Sequence, residues 1–173
     1  MSVSEHTSLA AKLGPLSIAI ITVSDTRTAA NDASGDAIET RALADGLTVG
    51  YRTLVPDAPP KILAAINASV TAKVHAIVLT GGTGVTRRDT TIDTILSLPG
   101  VALDGFGELF RAESYASIGA AAMLSRATAV IYEPTDCCRI PIFALPGSTH
   151  AVELAMRSFI APTLQHLVWQ CRS

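Results

Sequence analysis

The sequence predicts a single α/β domain, a doubly wound, mostly parallel sheet with helices on both faces, over residues 15–173 behind a flexible N-terminal segment, residues 1–14. Three observations carry this reading. Ser17-Ile18-Ala19-Ile20-Ile21-Thr22-Val23-Ser24 is a continuous β-branched run, the pattern of a strand covered on both faces. From there to Thr80, strand-like and helix-like segments alternate at the spacing of βαβ crossovers. Two further apolar runs, Ala76 to Thr80 and Ile140 to Leu145, each lead directly into a glycine-bearing turn.

The elements follow in order. Residues up to the Gly14-Pro15 break are mixed and polar. After the first strand, Asp25 to Ser34 is a polar loop, and Asp32 or Ser34 can cap a helix that runs to about Asp45 and stops at Gly46. Tyr51 to Val55 reads as the second strand. Pro59 or Pro60 opens a helix with Ile62, Ile66 and Val70 on one face, and Ala76 to Thr80 is the third strand. A short helical segment near Thr91 to Leu98, the Gly105 to Ile118 region, a small-residue helix with Ala120 to Leu124 and a strand around Ala129 to Tyr132 come next. Ile140 to Leu145 is the last strand, followed by a helix from about His150 to Trp169, broken or kinked near Pro162. Ligands of doubly wound sheets bind beyond the carboxyl ends of the strands, so the turns after Thr80 and Leu145 should face one crevice.

Composition narrows the function. A chain of 173 residues with 49% hydrophobic and 16% charged residues can bury a full core. A net charge of −2 gives no basic field for nucleic acid, so any anionic ligand must be held locally. Among the arginines, Arg87, Arg88, Arg111 and Arg126 lie in or near the glycine-rich segments, as anion contacts or as solvated surface charge. The longest apolar stretch, Leu13 to Val23, falls short of the ~20 residues of a membrane helix, and the first twelve residues carry no secretory signature. The expectation is a cytoplasmic protein with no membrane partner. Cys137, Cys138 and Cys171 lack C-x-x-C spacing, and His6, His75, His150 and His166 lack metal-ligand spacing and read as structural or surface residues.

The chemistry concentrates in Thr80-Gly81-Gly82-Thr83-Gly84, where glycines permit positive φ and let backbone N–H groups approach an anion. The loop lacks the lysine of a Walker motif. Arg88-Asp89 follows; a carboxylate beside a phosphate cradle needs a cation between them, and magnesium is the usual mediator. The other role open to Asp89 is to cap the next helix or pair with Arg88. Asp57, after the second strand, projects toward the same sheet edge or is a turn residue. Ser24-Asp25 follows the first strand. Ser148, after Pro146 and Gly147, is either a helix N-cap or a phosphate contact. Gly105-Phe106-Gly107-Glu108 with Arg111 suits a ligand edge or a subunit contact.

Taken in register, Ile21 to Asp25, Leu79 to Gly84, Arg88-Asp89, Gly105 to Glu108, Leu124-Ser125-Arg126 and Leu145 to Ser148 resemble the MoaB/Mog family of molybdenum cofactor biosynthesis over roughly Ser17 to Leu167. The resemblance implies a trimeric or hexameric α/β protein that binds molybdopterin, and in the active enzymes of the family ATP and magnesium convert the pterin's phosphate to an AMP diester. It assigns the catalytic, magnesium-holding aspartates to Asp57 and Asp89 and the phosphate cradle to Thr80 through Gly84. Ser24, Asp25, Arg88, Glu108, Ser125, Pro146, Gly147 and Ser148 are further pocket residues. One departure stands out: where the adenylyltransferase branch typically reads Thr-Pro-Glu/Asp-Ala after Arg-Asp, this chain reads Thr91-Ile92-Asp93-Thr94 and loses the proline that pre-sets the helix start. Three functions compete on these residues. The first is a magnesium-dependent adenylyltransferase, the second a molybdopterin carrier that transfers nothing, and the third a general phosphate-ligand-binding α/β protein.

Overall fold

Strands whose side chains are apolar on both faces need cover on both, and this sequence supplies it. The computed structural model describes residues 14–135 and 138–172. The expectation for residues 1–14 therefore lies outside the described residues except for Gly14, as do His6 and Cys137. Six strands, β1 (Ser17–Val23), β2 (Thr48–Val55), β3 (Ala76–Thr80), β4 (Gly100–Ala102), β5 (Thr128–Tyr132) and β6 (Ile140–Leu145), form one sheet in the order β2-β1-β3-β6-β5-β4. β2, β1, β3 and β6 pair in parallel, whereas β5 runs antiparallel to both β6 and β4.

The period of two sorts the core into two layers. Ile18, Ile20, Val78, Phe143 and Leu145 face one side, with Ile38, Phe110, Val152, Met156 and Leu164. These come from helices α1 (Ala33–Ala44), α4 (Asp104–Ile118), α5 (Thr149–Ala155) and α6 (Ala161–Arg172), and from the intervening π-helical turn Met156–Ile160. Ala19, Ile21, Ile77, Leu79 and Ile142 face the other side, covered by Ile62 and Ile66 of α2 (Pro59–Thr71) and Ile92 and Ile95 of α3 (Thr91–Leu96).

Local chemistry explains the boundaries. Asp32 caps α1 by accepting from the Gly35 N–H, and Gly46 closes that connection at φ +77°. Pro59 and Pro60 open α2. The final helical stretch is interrupted just ahead of Pro162: the Ala161 N–H reaches back to the Met156 carbonyl, and this wider turn accommodates a residue with no N–H of its own. The second strand begins three residues before the expected Tyr51, and β4 was not expected at all; its three residues are exposed and carry no strand pattern. The Gly105 to Ile118 region is one helix, with Gly107 pressed against the sheet: an added Cβ there would lie 2.7 Å from the Ala127 carbonyl oxygen. Its glycine is a helix-to-sheet contact, not a flexible ligand edge.

Candidate functional site

The strand order reverses direction at β1 and β3, and a crevice opens at that switch point beyond their carboxyl ends. Gly81 ties β3 to β6, its N–H donating to the Leu145 carbonyl at 3.0 Å, while the Thr80 hydroxyl donates to the Pro146 carbonyl at 3.1 Å. The two glycine-bearing turns thus sit side by side, as expected. They floor a cleft of about 520 Å³ whose walls include Ser24, Arg27, Thr83, Asp89, Ser125 and Ser148. One face of α4 closes the far side with Phe110, Ser114, Ser117 and Ile118.

The three glycines of the turn are required by what lies behind them. A Cβ on Gly81, at φ +98°, would stand 2.1 Å from the Val23 carbonyl oxygen. One on Gly82, at φ +64°, would stand 2.4 Å from Asp57 Oδ2 and 2.2 Å from the Thr91 hydroxyl. One on Gly84 would stand 2.7 Å from Asp89 Oδ2. Each candidate catalytic aspartate is therefore packed directly against a glycine of the turn, Asp57 on Gly82 and Asp89 on Gly84. No bulkier residue would let them approach so closely.

Both carboxylates are fixed by the loop between β3 and α3. Asp57 Oδ1 accepts from the Thr90 N–H at 3.0 Å and the Thr90 hydroxyl at 2.7 Å, so Asp57 caps α3 from outside and replaces the pre-set helix start that the missing proline would give. Asp89 Oδ2 accepts from the Thr86 hydroxyl at 2.6 Å and the Thr86 N–H at 2.9 Å. The Thr86 hydroxyl, with the backbone N–H groups of Thr86 and Gly84, holds the Asp89 carboxyl below the usual carboxylate range. The hydroxyl of Thr91, fully buried beside Asp57, has no hydrogen-bond partner.

The remaining expected residues separate. Ser24, Gly81 to Gly84, Ser125, Pro146, Gly147 and Ser148 line the cleft, and Thr80 is buried beneath it. Ser148 is the N-cap of α5, accepting from the Ala151 N–H at 3.2 Å. Asp25 accepts from Arg88 Nη2 at 2.6 Å and from the Asp57 N–H at 3.0 Å, outside the lining; the Arg88 guanidinium holds its carboxyl below the usual range. Glu108 is exposed on α4 and does not reach the cleft, because Phe110, Ser114 and Ile118 occupy the helix face that does. Arg126 braces the loop, donating to the Gly84 and Asp89 carbonyls at 2.8 and 2.9 Å and pairing with Asp93. Arg111 donates to the Ala127 carbonyl. Sequence reasoning missed Arg27, Ser114, Ser117 and His150, all of which line the cleft. The helical spacing of Phe110, Ser114, Ser117 and Ile118 was a usable signal; Arg27 had none.

Such a fold and site define a doubly wound α/β protein with a glycine-floored cleft at its topological switch point. The family model described as "Probable molybdopterin binding domain" matches residues 19–166. Molybdenum cofactor biosynthesis protein B of Bacillus anthracis is 40% identical over 172 residues, 98% of each chain. Among solved structures, the tungsten cofactor synthesizing protein MoaB of Pyrococcus furiosus superposes with a TM-score of 0.83 at 34% identity, covering 92% of this chain and 98% of that one. A MogA structure superposes at 0.76 with 27% identity, covering 90% and 99%. The chain belongs to the MoaB/Mog family of molybdenum cofactor biosynthesis proteins.

Proposed function

We propose that this protein binds molybdopterin in the cleft and, with ATP and magnesium, adenylylates its terminal phosphate. The observation that carries the proposal is the seating of Asp57 and Asp89 on Gly82 and Gly84, with Asp57 behind the glycine turn and Asp89 in the cleft wall beside it. In the transfer, a phosphate oxygen of the pterin forms a bond to the α-phosphorus of ATP, the bond from that phosphorus to the β-phosphate bridge breaks, and pyrophosphate leaves.

The residues fit a magnesium ion on their own chemistry. Asp57 and Asp89 offer hard oxygens, and the unpartnered, buried Thr91 hydroxyl beside Asp57 is the kind of polar atom that a bound group satisfies. Among the described residues no cluster of three or more ligating side chains occurs, so substrate phosphates and water would complete the coordination. When bound, magnesium supplies charge neutralisation for the triphosphate. The chain's own share is positional. Gly81 spends its N–H on Leu145 and Gly84 on Asp89, so neither is offered to phosphate. Asp89, held ionised by Thr86, keeps its charge throughout the neutral range. Asp57, locked to Thr90, keeps its place without ligand.

The carrier reading has one observation in its favour: capping α3 is a structural task for Asp57 that needs no metal. The Asp89→Asn variant separates the two. The amide can still accept from Thr86, so folding and pterin binding should survive, while adenylyl transfer should fall by about 100-fold, the scale of losing one electrostatic stabiliser. The assay is adenylylated molybdopterin formed from ATP and magnesium by wild type and variant. Equal product from both removes Asp89 from catalysis, and no product from either, with pterin still bound, favours the carrier. The proposal also includes a cytoplasmic setting and a homo-oligomer, trimer or hexamer, supported by the exposed apolar strip on α4 and the 3₁₀ turn Gly119–Leu124.

A further inference from the structure

The cleft's charges are mostly negative or already spent. Asp89 lines it, Asp25 and Asp57 stand behind the turn, and Arg88, Arg111 and Arg126 are committed to Asp25, Ala127 and the Gly84-to-Asp93 loop. Among the described residues, Arg27 is the one arginine that lines the cleft. It is also built in place. Its Nη2 donates to the Gly147 carbonyl at 2.7 Å, its Nη1 donates to the Ser34 hydroxyl, and its backbone N–H is held by the Ser24 hydroxyl at 3.1 Å. Behind it lies Asp32, only 2% exposed and 4.0 Å from Nη1, which also takes the Thr22 hydroxyl and Arg52. The guanidinium thus rests on a buried carboxylate and a buried serine, and it abuts Gly147, which in turn lies against Gly81.

We propose that Arg27 grips the phosphate end of the cleft's ligand; this rests on the pterin-binding reading above. Of the five N–H donors of a guanidinium, Ser34 and Gly147 use two, leaving a planar set for a phosphate monoester. Holding the fork at both Nη atoms removes the rotamer freedom that a surface arginine loses on binding, so the contact costs little ordering. A phosphate here lies beside Gly81 and Gly147, in the same cleft that Asp89 lines. Arg27 is a binding residue that fixes which end of the ligand points inward.

Calorimetric titration with 6-hydroxymethylpterin, its phosphate monoester and ATP tests this on wild type, Arg27→Gln and Arg27→Lys. Wild type should prefer the phosphate ester to the alcohol by about 10- to 100-fold, the scale of charge-assisted hydrogen bonds. Arg27→Gln should lose that preference while binding the alcohol as wild type does, and Arg27→Lys should keep only part of it, having charge but no fork. If Arg27→Gln does not fold, the Lys variant decides alone, and an undiminished preference in it overturns the proposal. A full preference in a folded Arg27→Gln overturns it too, as does a variant that loses only ATP binding, which would assign Arg27 to the nucleotide. If wild type binds neither pterin, the molybdopterin reading falls with it, whereas pterin binding without a phosphate preference defeats the Arg27 assignment alone.

Discussion

Gly82 shows how one residue type answers two demands at once. Sequence reasoning expects its missing Cβ to leave room for phosphate; in the structure that Cβ would point instead at Asp57 and Thr91, so the glycine makes room for the carboxylate. Gly82→Ala should therefore act through Asp57 as well as through the backbone. The positive φ alone costs about 1 kcal/mol, and displacing Asp57 from Thr90 adds the loss of a helix cap, again about 1 kcal/mol. A lowered melting temperature with adenylyl transfer reduced is the expected result. A variant that melts and turns over like wild type would show that the contact is slack. The sequence pointed to the glycines and the aspartates separately, and only the folded chain joined them, because Asp57 arrives from β2, 25 positions away from Gly82.

At the scale of elements, the length of the connections decides direction. Residues 133–139 join β5 to β6, too few for the dozen or more residues of a parallel crossover, so β5 must run antiparallel. The residues of the strand around Ala129 to Tyr132 carry no sign of this, but the short connection to Ile140 does. Where the strands begin, His75 stitches β1 to β3: its ring Nδ1 accepts from the Ser17 N–H at 2.9 Å, and its backbone N–H donates to the Ser17 carbonyl at 2.7 Å. Burial first, then the Arg172 charge on α6, pushes the His75 imidazole below its usual 6.5. Folding thus favours the neutral ring. The stitch contributes fully above pH 6.5 and is lost as the pH falls through the lowered folded-state value. Denaturant midpoints measured across that interval should fall more steeply for wild type than for His75→Gln, whose side-chain oxygen accepts without titrating. Parallel curves would remove His75 as the source.

For the whole molecule, the surface matters as much as the core. Helix α4 carries Phe106, Leu109, Phe110 and Tyr115, and its geometry divides them between two faces. Phe110 is buried and Phe106 packs against Phe110, Phe143 and Phe159, four and more residues apart on the inner face. Leu109 and Tyr115 remain outside and continue into Ile118, Met123 and Leu124, with Met123 77% exposed. Exposed apolar side chains grouped in this way mark a contact surface. Light scattering should find a multiple of the 18.0 kDa chain, and the double variant Leu109→Asp, Met123→Asp should reduce it to the monomer with the circular dichroism unchanged. A wild-type particle of one chain's mass, or a double variant that stays assembled, would place the contact elsewhere or nowhere. No helix of the described residues is long and apolar enough to cross a membrane, so this strip is not part of a spanning helix.

The sequence by itself determined the alternation of strands and helices, the two-sided core and the two turns that meet at the switch point, because these follow from local periodicity and from glycine and proline chemistry. It also determined the family, through short strings in fixed order. Only the tertiary structure decided which charged groups face the cleft. Arg88, Arg111 and Arg126, beside the glycines in sequence, turned to carboxylates and carbonyls, Glu108 turned outward, and Arg27, from the loop after β1, reached the cleft through Ser34 and Gly147. The reason is physical. A strand or helix is specified by neighbours within one turn or one pleat, whereas the aim of a long charged side chain is set by whichever buried partner lies within reach. That partner comes from a distant part of the chain.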